Sequence, residues 1–267
     1  MVRPMKLLEV NGGHLACWDS GRGAPLVFIH GMATAGELWA ADLEPLAADH
    51  RLIVYERRGY GRSSASPRNW QAHRDDAAAL IDALDAKPAV LVGYSAGASI
   101  ALDLITSRPD VATSLVLVDP AVNLKHCLTP GFLKAIMGAR LLRALRNERL
   151  GAEHWLRYVT SYSTGGTGFD RSSPKRRETL LANASGIFAD SASGLPYVEE
   201  NRLAAIQVPI TLIEAKLSPP FLRRSCARLR TALPRARVFT IANAGHHIAV
   251  DARDELLAIL RESAPGA

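Results

Sequence analysis

Ala89-Val90-Leu91-Val92-Gly93-Tyr94-Ser95-Ala96-Gly97-Ala98-Ser99-Ile100-Ala101-Leu102 is the stretch on which the reading of this chain turns. It opens with an apolar run too short for a helix and continues, from Ala96 to Ser107, in a helical pattern. Between the two stands Gly93-Tyr94-Ser95-Ala96-Gly97. A strand that passes at once into a helix leaves no room for side chains two residues either side of the serine, which accounts for glycine at 93 and 97. Such a turn lifts Ser95 Oγ clear of the sheet. It also sets Ser95 at a helix N-terminus, where backbone N–H groups favour developing negative charge. The plainer alternative is a tight turn with no chemistry.

Outward from this stretch the same rhythm repeats. Short apolar runs occur at Pro25 to His30, Leu52 to Glu56, Ser114 to Asp119, Ile210 to Glu214 and Arg237 to Ile241. Helical segments lie at Glu37 to Asp49, His73 to Leu84, Ser218 to Leu233 and Val250 to Glu262. Leu7 to Val10 and His14 to Trp18 flank Asn11-Gly12-Gly13, a hairpin signal. The expectation is an α/β fold: an eight-stranded, mostly parallel sheet with helices on both faces, opened by an antiparallel hairpin. No strand-like run appears between about Pro120 and Gln207. That interval reads as a helical insertion at 121–207, with the core formed by 1–120 and 208–267.

The chain has 267 residues, 48% hydrophobic and 22% charged, enough for a large core without disulfides or metals. Cys17, Cys127 and Cys226 are far apart and form no CxxC or Cys/His cluster, against a disulfide framework or structural zinc. No run reaches the roughly 18 apolar residues of a membrane helix, and Met1 to Lys6 leads into no apolar leader segment, so a cytoplasmic location is expected. The net charge is +6, with a pI of about 9.5, but no basic stripe with interleaved aromatics points to nucleic acid. From Lys125 to Arg177 the chain carries eleven Lys/Arg against three Asp/Glu, a local +8 that leaves the remainder at −2. In that segment Met137, Leu141, Leu142 and Leu145 follow helical spacing and are expected to pack on the body, with Arg140, Arg143 and Arg146 as solvated edges, a partner site being the alternative.

A serine needs a base to act as a nucleophile. His246 is best placed among the eight histidines, because Ala244-Gly245-His246 follows the last strand run at the end of the sheet where the Ser95 turn lies. Capping of the final helix by His246 or His247 is the competing reading. His30, ending the run before Gly31-Met32, is expected to hold a loop whose Met32 N–H joins the Ala96 N–H as an oxyanion hole. Glu56, with Arg57, Arg58 and Arg62, is expected to fix the loop after its strand. Gly165 to Gly168 lacks the context of a phosphate loop, and His126, His154 and His247 have no partners at metal-ligand spacing.

His30-Gly31-Met32 with Trp39, Arg57-Arg58-Gly59-Tyr60-Gly61-Arg62-Ser63, Gly93-Tyr94-Ser95-Ala96-Gly97 and Gly245-His246 together resemble the α/β-hydrolase superfamily over nearly the whole chain. The resemblance implies Ser95 as nucleophile, His246 as general base, the Met32 and Ala96 amides as oxyanion hole, and a helical cap over the pocket. Serine at 95 sets the chain apart from relatives with an aspartate nucleophile. It departs from the pattern at the third triad position, where Ala215-Lys216-Leu217-Ser218-Pro219 carries a serine in place of the expected aspartate. Asp119, ending the sixth run, is the preferred acid and Glu214 the alternative; an ionised carboxylate is needed to hold the imidazole tautomer.

The reaction expected is acyl-enzyme hydrolysis of a carboxylic ester, lactone or thioester, without a cofactor. Hydrolysis of a C–C bond, or other cofactor-free biosynthetic chemistry, on the same residues is the runner-up. A non-catalytic small-molecule receptor is the third reading, raised by the missing acid. The basic segment is either a solvated face or a surface that steers an anionic or carrier-bound substrate.

Overall fold

The computed structural model describes residues 5–64, 69–194 and 197–264; Met1 to Pro4, read above for a leader, lie outside it. The strands are β1 (Lys6–Val10), β2 (Gly13–Ser20), β3 (Pro25–Ile29), β4 (Arg51–Tyr55), β5 (Ala89–Tyr94), β6 (Ala112–Val118), β7 (Ile210–Ala215) and β8 (Arg237–Ile241). The helices are α1 (Gly36–Asp42), α2 (Trp70–Ala83), α3 (Ala96–Ser107), α4 (Pro130–Ala144), α5 (Glu148–Val159), α6 (Gly168–Arg171), α7 (Pro174–Ala182), α8 (Ala184–Ala192), α9 (Glu200–Ala204), α10 (Pro220–Ala232), α11 (Ile248–Asp251) and α12 (Arg253–Ser263).

The eight strands form one sheet in the order β1-β2-β4-β3-β5-β6-β7-β8, antiparallel at β1/β2 and β2/β4 and parallel thereafter. The hairpin turns through Asn11 and Gly12, both at positive φ, as the right-handed twist of paired strands requires. β5 lies between β3 and β6 and is buried along its whole length, which suits an unbroken apolar run. Alternation along the strands feeds two cores. Val27, Ile29, Leu91, Leu115 and Leu117 pack on the side of α2 and α3, while Leu26, Phe28, Val92, Val116 and Val118 face α12 and Trp39 of α1.

Two helical segments are interrupted. The stretch expected from Glu37 to Asp49 ends as α1 at Asp42 and resumes as a 3-10 turn at Glu44–Ala48, because Pro45 has no N–H to continue the α1 ladder and is accommodated only in the first turn of a new helix. The C-terminal segment breaks between α11 and α12 at Ala252.

Between β6 and β7 the chain is helical, α4 to α9, with an isolated bridge pairing Ser161 and Thr167. Helices α4 to α8 share a third apolar cluster with α10, built on Phe132, Trp155, Leu156, Phe169, Phe188 and Phe221, while Leu203 of α9 joins the core on the side of α2 and α3. Here the expected burial of α4 is corrected. Its buried residues are Phe132, Ala135 and Ala139, while Met137, Leu141 and Leu145 are 68%, 61% and 68% exposed. The reason is close approach. A Cβ on Gly151 of α5 would stand 2.7 Å from the Ala139 carbonyl oxygen, and one on Gly138 would stand 2.7 Å from His154 Nε2. Small residues, not large ones, form the seam.

Candidate active site

Ser95 occupies the strand-to-helix turn at φ 55° and ψ −120°, a left-handed conformation that side chains rarely adopt. The glycines make it possible. A Cβ on Gly97 would lie 2.1 Å from the Ile29 carbonyl oxygen, and one on Gly93 would lie 2.6 Å from Ala98 Cα. The turn is further tied by Ser95 N–H to the Val118 carbonyl (2.9 Å) and by Ala121 N–H to the Ser95 carbonyl (3.0 Å).

His246 reaches the same point from the loop after β8. Its Nε2 is 3.0 Å from Ser95 Oγ and its Nδ1 is 2.6 Å from Asp119 Oδ2. All three residues are buried. Tyr94 holds the histidine twice: its ring stacks on the imidazole at 4.9 Å and its hydroxyl donates to the His246 carbonyl at 2.6 Å. Burial and the Asp119 charge keep that phenol protonated by pushing its pKa well above the ordinary value.

Asp119 leaves β6 at φ 40°, a second strained position beside the first. Its carboxylate also accepts from Ser218 Oγ (2.6 Å) and from Ala215 N–H (3.3 Å). Ser218, which stands where an aspartate was expected, thus donates to the oxygen that faces His246.

The Gly31-Met32 segment runs directly past the serine, since a Cβ on Gly31 would be 2.7 Å from Ser95 Cβ and 3.2 Å from its Oγ. Ala96 opens α3, where first-turn N–H groups have no intrahelical acceptor. His30 fixes this segment. Its Nδ1 lies 2.8 Å from the Gly31 carbonyl and its Nε2 accepts from Arg57 N–H at 2.9 Å, so the proton sits on Nδ1. Burial, then the Arg57 charge, holds the His30 pKa well below its usual range, so the ring is neutral.

The alpha/beta hydrolase family profile matches residues 26–259. The chain belongs to the alpha/beta hydrolase family. A Mycobacterium tuberculosis protein named as a non-heme bromoperoxidase is 30% identical over 254 residues, spanning 87% of this chain and 90% of the relative. The 2-hydroxymuconate semialdehyde hydrolase of Pseudomonas sp. strain CF600 is 38% identical over 127 residues, 45% of this chain and 44% of that one. A solved thermophilic esterase from Thermogutta terrifontis superposes with a TM-score of 0.77 at 24% identity, covering 97% of both chains, and shows the shared fold.

Within this alpha/beta hydrolase, Glu214 is not brought to His246. It alternates with Ile213 and Ala215 along β7, so its carboxylate turns to α10 and meets Arg230 at 3.4 Å. Glu56 accepts from Arg62 N–H (2.5 Å) and Ser63 Oγ donates to its carbonyl (2.6 Å), the loop-holding contacts anticipated for it. His247 is buried beside Gly168 and lies 3.3 Å from Ser172 Oγ. Burial first, then the Arg176 charge, pushes its pKa down to about 3.

Sequence reading missed a buried cluster centred on Asp190 of α8. Its carboxylate accepts from Arg57 (2.7 Å) and from the Tyr60 hydroxyl (2.7 Å), and lies 3.0 Å from His73 Nε2. The same Arg57 guanidinium donates to the carbonyls of His30 and Gly31, both at 3.0 Å. Burial alone would raise the Asp190 pKa, but the charge of Arg57 prevails and holds it far below the carboxylate norm. Beside His246 lies a chamber of about 20 Å³ bordered by Met32, Thr34, Tyr94, His246, Arg176 and Leu180. Arg176 is bound there by Asp42 at 2.6 and 2.7 Å. Among the described residues no group of three or more His, Cys, Asp or Glu could hold a metal, and no helix is long and apolar enough to cross a membrane.

Proposed function

We propose that this alpha/beta hydrolase is a serine hydrolase that cleaves a carboxylic ester, lactone or thioester of a small organic molecule through an acyl-enzyme. The observation that carries the reading is the unbroken hydrogen-bonded line from Asp119 through His246 to Ser95 at the head of α3. Ser95 Oγ attacks the carbonyl carbon while its proton passes to His246 Nε2. Asp119 keeps the other imidazole proton on Nδ1 and stabilises the cation that forms. The carbonyl oxygen, now an oxyanion, accepts from the Met32 and Ala96 amides. Collapse breaks the bond to the leaving group, which takes the proton from His246. Water then attacks the acyl-enzyme with His246 as base, and the carboxylic acid departs. Residues 121–207 form the cap of this reading, since Leu156, Val159, Arg176 and Leu180 supply one wall of the chamber.

A fluorophosphonate should label Ser95 in the wild-type protein and leave Ser95→Ala unlabelled. Absence of labelling in a folded protein would overturn the proposal. A second reading, hydrolysis of a C–C bond in a diketone-like substrate, uses the same residues and is favoured by the likeness to the Pseudomonas hydrolase. Turnover of vinylogous diketones faster than short-chain nitrophenyl esters would select it.

A further inference from the structure

The chamber beside His246 is not the only space that touches the candidate oxyanion segment. Met32 also borders a narrow apolar gap of about 10 Å³, together with Ile136 and Ala139 of α4, Trp155 of α5, and Ile187 and Phe188 of α8. That gap shares Arg140, Phe188 and Ser191 with an open surface groove of about 330 Å³, whose walls include Arg143, Ala144 and Ala192. Shared walls thus link the three spaces: Arg140, Phe188 and Ser191 stand between groove and gap, and Met32 stands between the gap and the chamber beside His246. At the junction of groove and gap stands Arg140, which crosses from α4 to α8 by donating to the Ser191 carbonyl (2.9 Å) and hydroxyl (3.3 Å). Its contacts among the described residues are neutral acceptors, so its charge is not cancelled by a carboxylate. Arg143 lies over the Phe188 ring at 5.0 Å and meets Glu148 only at 3.5 Å on an exposed edge.

We infer that substrate enters between α4 and α8, and that Arg140 and Arg143 bind a carboxylate at the far end of the acyl chain. The substrate class is thus an ester whose carbonyl is joined through an apolar spacer to a terminal carboxylate. The spacer lies in the gap formed by Met32, Trp155 and Phe188. Two guanidinium groups at an open mouth suit a planar anion, which Arg binds in paired hydrogen bonds. The apolar gap excludes the charge from the interior, where an unpaired carboxylate would be costly. The exchange at the mouth is conservative: Arg140 trades two neutral acceptors on Ser191 for a charged one. This inference rests on Ser95 as the nucleophile of an ester hydrolase.

The test uses 4-nitrophenyl monoesters of α,ω-dicarboxylic acids of increasing length, each compared with the methyl-ended ester of equal length. Wild type should prefer the carboxylate-ended member by roughly tenfold in kcat/KM once the chain spans the gap, and the preference should decay with added salt. Arg140→Ala with Arg143→Ala should abolish that preference chiefly through KM. Ser191→Glu, which places a negative charge in the groove and keeps both arginines, should reverse it. Lys134→Ala, an exposed lysine of α4 outside the groove, should leave the preference in place. An equal rate for both ester classes in wild type, or a preference that survives both Arg140→Ala/Arg143→Ala and Ser191→Glu, overturns the inference while fluorophosphonate still labels Ser95. Loss of labelling itself would instead defeat the serine-hydrolase reading.

Discussion

β5 and β6 are neighbours in the sheet, and each ends in a non-glycine residue at positive φ, Ser95 at 55° and Asp119 at 40°. The two turns are built by different means. The first is shaped by what is missing: glycines at 93 and 97 that let α3 sit against the end of β3. The second is shaped by what is bound: Asp119 N–H donates to the Ile213 carbonyl at 2.7 Å, and the carboxylate is held by Ser218, Ala215 and His246. A turn made by steric omission announces itself in sequence, whereas a turn made by hydrogen bonds to residues about a hundred positions away does not.

The contrast can be broken most severely at the carboxylate. Asp119→Asn keeps the shape but cannot hold the imidazole in its working tautomer, so kcat should fall by about 10³- to 10⁴-fold with the thermal midpoint little changed. Restoring a carboxylate at the neighbouring position, Asp119→Asn with Ser218→Asp, should recover part of that loss; steady-state kinetics on a nitrophenyl ester reads both. If Asp119→Asn turned over like wild type, the assignment of the acid would be wrong.

The steric turn should fail differently. Gly97→Ala drives a methyl group onto the Ile29 carbonyl oxygen, which is backbone and cannot swing aside. A stability loss of about 3 kcal/mol is expected from such overpacking, read by chemical denaturation. Undiminished stability would show that α3 can shift away from β3 at little cost. Smaller still is Ser218→Ala, which removes one hydrogen bond to a charged acceptor. It should lower kcat by roughly tenfold while leaving KM unchanged.

Why so much of this site was legible lies in the same contrast. Ser95, Gly93, Gly97 and His246 could be placed because each depends on neighbours in the chain: a strand run, a turn, a helix start. Asp119 followed from its position at a strand end and from the serine at 218, although nothing local indicated that Ser218 would donate to it. The Arg57–Asp190 pair spans 133 positions between ordinary residue types, so no local pattern points to it. The orientation of α4 was misread for a related reason. Helical spacing identifies which residues share a face, but the small residues of α4 and α5 decide which face is buried.

A separate expected effect concerns acid. His247 titrates at about 3 when folded, against an ordinary value of 6.5. Between those values the unfolded chain takes up a proton that the folded chain refuses. Its contribution is therefore complete above 6.5 and drains away as pH falls toward 3. Thermal midpoints measured across that window should fall with acidity, and His247→Gln should flatten the slope.

Arg57 grips the carbonyls of His30 and Gly31 with one side of its guanidinium and Asp190 with another. The helical segment and the peptide that carries Met32 are thereby wired to the same cation. A designer who grafted a foreign segment between β6 and β7 to change selectivity would strip that cation of its counter-charge and slacken the peptide beside Ser95. An exchange that keeps an acid at position 190 would preserve the chemistry; one that omits it would trade away rate along with selectivity.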